Sequence, residues 1–236
     1  MLQLQNLSTG FPKSNLQLHQ NIHLQLLPGS LVLLIGPNGI GKSVLLKTLC
    51  GLQPATEGSV HVNNTNIHIA TAEIRASLTS ILLATPPNIE QMTVYDMVVS
   101  GRQRFLNGWR NPSVEDANAV QQAMEKTGIS HLTQTNFGSL SDGVKQKVML
   151  ARCLAQDSEV ILLDEPLAFL DYPSRIQFLD LLKVLAKSES KIILYSSHDL
   201  QLSLNYCDHV LALTHKQWQF FADPQSVIIA DIFPNP

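Results

Sequence analysis

The stretch "LVLLIGPNGIGKS", Leu31 to Ser43, decides how the rest of the chain is read. "LVLLI" is apolar at every position, which predicts a central strand covered on both faces. Gly36-Pro37-Asn38-Gly39-Ile40-Gly41-Lys42-Ser43 then forms a glycine-rich turn, and "KSVLLKTLCG" predicts a helix stopped by Gly51. A buried strand, a turn of the pattern G-x-x-x-x-G-K-[ST] and a helix make a phosphate cradle. The glycines let backbone N–H groups converge on phosphate oxygens. Lys42 neutralises the terminal phosphates, and Ser43 offers a hydroxyl to Mg²⁺.

Working outward, the other apolar runs extend an α/β fold. "SILLA" (80–84), "EVILLD" (159–164) and "KIILYSS" (191–197) read as further buried strands, and "HVLALTHKQWQFFADP" (209–224) as strand, turn and strand. The alternation in "LQLQNL" and "LQLHQNIHLQLLPGS" predicts an N-terminal antiparallel β layer with a turn at Pro28-Gly29, and "EGSVHVNNTNIHIA" a hairpin. Between "SILLA" and "EVILLD", apolar residues recur every three or four positions, which predicts an inserted helical lobe over about 85–157. The nucleotide-binding core is then 1–84 with 158–236, all within a single domain of 236 residues.

Composition excludes several partners. The formal charge is −3 and there is no run of Lys and Arg, so no basic stripe exists to follow a nucleic-acid backbone. The hydrophobic fraction of 44% supports an ample core, yet no apolar run reaches the length of a membrane span and the N-terminus has no signal-like pattern. Cys50, Cys153 and Cys207 are widely spaced, which suits buried thiols in a reducing compartment better than a disulfide framework. His61 and His68 flank a polar turn without a third ligand nearby, and no protein-only metal site is assigned to them.

"VILLDEP" supplies acids to match the cradle. Asp164, at the carboxyl end of a strand, is placed to hold Mg²⁺ through water, and Glu165 to orient or deprotonate an attacking water. The alternative for this pair is helix-entry capping. A second anion-receptive turn lies at "SLSDG", where Ser141, Asp142 and Gly143 open a helix; the plainer reading of Ser141 is an N-cap.

These residues carry a resemblance. "LSDGVKQ" upstream of "VILLDEP" resembles the LSGGQ signature of ABC-type ATPases, and the likeness runs through nearly the whole chain. It implies that Phe11 stacks on adenine, that "AFLD" ending in Asp171 is the D-loop, and that His198 in "SSHDL" contacts the γ-phosphate. It also accounts for two cradles in one chain, because in that family the signature of one subunit closes over the ATP held by the other. The sequence departs from the family at two places. Ala84 or Thr85 stands where most relatives place a glutamine that reaches the Mg²⁺ and the attacking water, and Asp142 replaces a small signature residue.

The helical segment "MTVYDMVVSGR" resembles ATPase subunits of bacterial importers for iron-siderophore, haem and vitamin B12 substrates. The resemblance implies ATP and Mg²⁺ as ligands, a head-to-tail homodimer, and docking on permease subunits at the cytoplasmic face of the inner membrane. It also implies a substrate-binding protein contacting the permease. Two other readings stay open: a soluble ABC ATPase that drives protein assembly, and an ATP-binding regulatory module with little turnover.

Overall fold

The computed structural model describes residues 1–11, 16–103, 105, 112–214 and 217–233. Its centre is a six-stranded sheet. β3 (Leu31–Ile35) pairs in parallel with β8 (Ile192–Ser196) on one side and β9 (His209–Leu213) on the other. β7 (Val160–Leu163) and β6 (Thr79–Leu82) continue the parallel pairing beyond β8, and β10 (Trp218–Phe221) closes the opposite edge antiparallel to β9. The turn expected within 209–224 falls on residues 215–216, which lie outside the described ones.

The uniform apolarity of β3 has a direct cause. Val32 and Leu34 face one core and Leu31, Leu33 and Ile35 the other, so every side chain of the strand is buried. The first core is roofed by a separate antiparallel sheet of order β2-β1-β4-β5, built from β1 (Leu2–Phe11), β2 (Leu16–Leu26), β4 (Glu57–Val62) and β5 (Thr65–Asn66). The expected hairpin over "EGSVHVNNTNIHIA" is therefore present, but its second strand spans only two residues. The turn places Asn63 and Asn64 at positive φ, a conformation that asparagine tolerates well. His68 Nε2 lies 2.9 Å from Thr48 O, a backbone partner that explains the residue without a metal.

The second core is covered by α6 (Tyr172–Glu189). A third apolar cluster joins α3 (Val94–Val99), α4 (Val114–Lys126) and α5 (Asp142–Ala155) around Phe137. α5 serves two clusters: Leu150 and Cys153 pack towards the sheet, while Val148, Ala151 and Ala155 face the helices. The buried Arg102 fixes the far end of α5, donating to Asp116 Oδ1 at 2.8 Å and to Ala155 O at 3.0 Å. Among the described residues no helix is long and apolar enough to cross a membrane.

Candidate functional site

The candidate groups gather at the carboxyl ends of β3, β8 and β7, the usual ligand edge of a parallel sheet. After β3 the chain turns through Gly36–Gly41 into α1 (Lys42–Leu49). Gly39 and Gly41 have φ of 75° and 108°, and a Cβ on Gly36 would lie 2.5 Å from Leu213 O. Only glycine suits that backbone approach. Lys42 is 8% exposed, and its Nζ folds back to donate to Gly36 O at 2.9 Å and Pro37 O at 3.4 Å. Burial lowers its pKa, while the carboxylates of Glu165 and Asp164 push it up, which puts the three groups in one electrostatic cluster.

β8 organises the two acids. Ser196 Oγ donates to Asp164 Oδ1 at 3.0 Å and accepts the Glu165 N–H at 2.8 Å. No bond among the described residues engages Asp164 Oδ2. Glu165 has φ of 49°, a left-handed conformation that costs a non-glycine residue about 1 kcal/mol or more and is common at functional sites. No helix begins at this pair, since α6 starts only at Tyr172, so helix-entry capping does not account for it. Burial raises the Glu165 pKa and the Asp164 charge adds to this, against the opposing influence of His198 and Lys42.

His198 is not a buried strand-end residue, its side chain being 56% exposed. Its Nε2 lies 3.1 Å from Glu165 Oε1. This is a hydrogen bond when Nε2 carries a proton, and otherwise Oε1 has no donor in the described structure. Ser43 and Asp164 offer one hydroxyl and one carboxylate. One direct hydroxyl and a carboxylate acting through water fit Mg²⁺, which takes few protein ligands and completes its shell with phosphate and water.

The second cradle is built differently. Ser141 occupies the N-cap position of α5 but makes no side-chain capping bond, so the plain N-cap reading does not use its hydroxyl. The Asp142 carboxylate is turned outward, 57% exposed and 3.8 Å from Lys145 Nζ. Gly143 packs on the loop before α6, where a Cβ would meet Phe169 O at 2.8 Å. No hydrogen bond or ion pair among the described residues joins Ser141, Asp142 or Gly143 to Gly36–Ser43. Asp171 caps α6, its Oδ1 accepting the Ser174 N–H at 3.0 Å, and this bonding lowers its pKa.

Phe11 ends β1 at 44% exposure. Two residues earlier Thr9 Oγ1 lies 2.8 Å from His19 Nδ1, and the His19 ring abuts Gly41, so this end of the β layer flanks the first cradle. His19 was not singled out in the sequence, because a histidine in an alternating strand gives no sign of what lies behind it. Gln146, the last residue of "LSDGVKQ", carries no sign in sequence of its partner; its Nε2 donates to Ala84 O at 3.3 Å.

Comparison with known proteins agrees with this geometry. The ABC transporter family model matches residues 19–168. The achromobactin transport ATP-binding protein CbrD of Dickeya dadantii is 39% identical over 196 residues, covering 83% of this chain and 73% of that protein. The ferric enterobactin transport ATP-binding protein FepC of Escherichia coli K12 is 34% identical over 219 residues, covering 90% and 79%. The fold superposes on the dimeric structure of MJ0796, a bacterial ABC transporter cassette, with a TM-score of 0.79 at 22% identity, covering 92% of this chain and 96% of that one. Sequence, cradle and fold together place this chain in the ABC transporter family, among its ATP-binding subunits.

Proposed function

We propose that the chain is the ATP-hydrolysing subunit of a membrane importer for an iron-siderophore type of substrate. The observation that carries hydrolysis is the convergence of Lys42, Asp164 and Glu165 at one sheet edge, with His198 3.1 Å from Glu165. The substrate class rests on the likeness to the achromobactin and enterobactin transport ATP-binding proteins.

In this reading the backbone N–H groups of Gly36–Ser43 and the Lys42 ammonium receive the phosphates, and Phe11 receives the adenine. Lys42 exchanges its bonds to Gly36 O and Pro37 O for phosphate oxygens. Ser43, and Asp164 through water, would hold Mg²⁺, which would supply charge neutralisation on the phosphates. Glu165 takes or orients the proton of the attacking water, its raised pKa bringing it nearer the working pH of a general base. His198 Nε2 holds Glu165 in place and reaches the γ-phosphate side.

Ser141, Asp142 and Gly143 serve the nucleotide of a second copy. A two-fold pair gives each cradle of one kind a cradle of the other. The Asp171 loop lies beside that seam, because Phe169 touches Gly143. Residues 85–157 act as the lobe that carries the signature.

The permease docks in a groove of about 840 Å³ between the lobe and the core. Leu83, Pro87, Met92, Met97 and Met149 line it, with the exposed Leu52 at its rim. This contact holds the chain at the cytoplasmic face of the inner membrane, with a substrate-binding protein on the far side.

Uptake of a labelled ferric siderophore by cells carrying wild type or Glu165→Gln, with ATP binding measured on the purified chains, tests the reading. It predicts uptake abolished and ATP binding kept in the variant. Uptake unaffected by the substitution would contradict it.

A further inference from the structure

The exit of β6 carries no side chain suited to linking the nucleotide site to the helices. Ala84 is half-buried and Thr85 is exposed, and both precede a stiff Pro86-Pro87 pair. The backbone there is nonetheless bonded on two sides. Leu82 O accepts the N–H of Asp164 at 2.9 Å, and two residues later Ala84 O accepts Nε2 of Gln146 at 3.3 Å. Gln146 lies in the first half of α5, five residues after Ser141, and is fully buried at 0% exposure.

The other end of the same amide is unusual. Gln146 Oε1 is buried without a donor. An apolar side chain of the same volume would remove the unpaired Oε1 and give up only the bond to the half-buried Ala84 O, so packing alone does not call for an amide at this place. An amide with one bond made and one held open suits a joint with two arrangements. α5 packs on the sheet on one side and on the helical cluster on the other, so any rotation of the helices against the sheet must strain, break or exchange the Ala84 bond.

We propose that Gln146 is a positioning residue that couples the signature turn at Ser141 to Asp164, through the β6 exit, in place of a side chain at Ala84 or Thr85. Closing on a partner's ATP turns α5 and supplies Oε1 with a donor, and the shift passes along Ala84–Leu82 to the backbone of Asp164. The inference rests on the two-copy reading of the signature given above.

The test uses the full chain in a Glu165→Gln background, comparing Gln146 with Gln146→Met and Gln146→Leu. ATP-dependent dimerisation is followed by sedimentation, binding of a fluorescent ATP analogue by titration, and nucleotide-free stability by thermal unfolding. The expected result is dimerisation weakened about tenfold or more. Nucleotide affinity stays within about twofold, and the unfolding temperature moves by only about a few degrees, because loss of the Ala84 bond is set against removal of the unpaired Oε1. Dimerisation equal to the parent in both variants would overturn the role of Gln146 alone. So would a loss of dimerisation that tracks a parallel loss of nucleotide binding and stability. If the Glu165→Gln parent itself forms no ATP-dependent dimer, the two-copy reading fails and takes this inference with it.

Discussion

The two anion-receptive turns differ less in backbone than in their surroundings. At Gly36–Ser43 the turn is backed by a buried cation and two carboxylates, the second of them strained and held by Ser196 and His198. At Ser141–Gly143 a helix N-terminus stands with its serine hydroxyl making no capping bond and its one carboxylate turned to solvent, 3.8 Å from Lys145 Nζ. In the proposed reading one turn carries the chemistry and the other recognition. Among the described residues no bond joins the two turns, which suits the proposed reading of each chain as half of two sites.

The sharpest separation of the two turns comes from Lys42→Ala. Removing the buried ammonium leaves the phosphates facing Asp164 and Glu165 uncompensated. ATP binding is expected to fall with turnover, the latter by about 10²–10³-fold or more. Ser141→Ala should instead leave nucleotide affinity of the isolated chain unchanged and lower only the turnover of the dimer, by about tenfold. Equilibrium titration and steady-state ATPase on both variants distinguish the two. Equal losses of affinity would place both turns around the same nucleotide.

The acid–base asymmetry predicts a pH profile for the first turn. The Glu165 pKa is raised above 4.5 by burial, so its basic form is lost on the acid side at a higher pH than for an ordinary carboxylate. Burial lowers the Lys42 pKa, so phosphate affinity weakens on the alkaline side below the range of a free lysine. Turnover should fall on acidification with kcat, and on alkalinisation with KM. A profile unchanged in Glu165→Asp would remove Glu165 from the acid limb.

Both turns were legible in sequence and much of what supports them was not, for a physical reason. A phosphate cradle is local: strand, glycines, lysine and hydroxyl lie within Leu31–Ser43, and each type has one reason to be there. The adjacent acids are local too. What supports them is not. Ser196 reaches Asp164 across 32 positions, and Gln146 reaches Ala84 across 62, and neither pairing leaves a periodic trace. The helix α2 (Ala72–Leu78) escaped for the opposite reason: it buries no residue, so it has no apolar stripe to read.

The mounting of the second turn can be loosened independently. Arg102 ties α4 to the end of α5 through a buried ion pair, with side-chain exposures of 9% and 5%. Asp116→Ala leaves that guanidinium buried without its counter-ion and should cost about 3 kcal/mol in denaturant unfolding. Nucleotide affinity at the first turn should be kept. A loss of affinity matching the loss of stability would mean the two regions fold as one.

The smallest expected effect is a gain. The folded state raises the Glu165 pKa, so it binds that proton more tightly than the unfolded chain does. The stability linked to this proton is present at low pH and lost as pH rises through the raised value. Glu165→Gln should therefore unfold about 1–3 °C higher than wild type near neutral pH, with the gap closing as pH falls towards 4.5. A gap that does not vary with pH would point to packing instead.

Mixing two inactive chains tests the central claim most directly. Lys42→Ala spoils the first turn and Ser141→Arg the second, and each homodimer should be inactive. In a mixed dimer both defects fall on one composite site and the other is intact. A 1:1 mixture should recover about a quarter of wild-type ATPase, since about half the dimers are mixed and each has one working site. Activity that stays at the sum of the separate variants, with mixed dimers shown to form, would contradict the two-copy account.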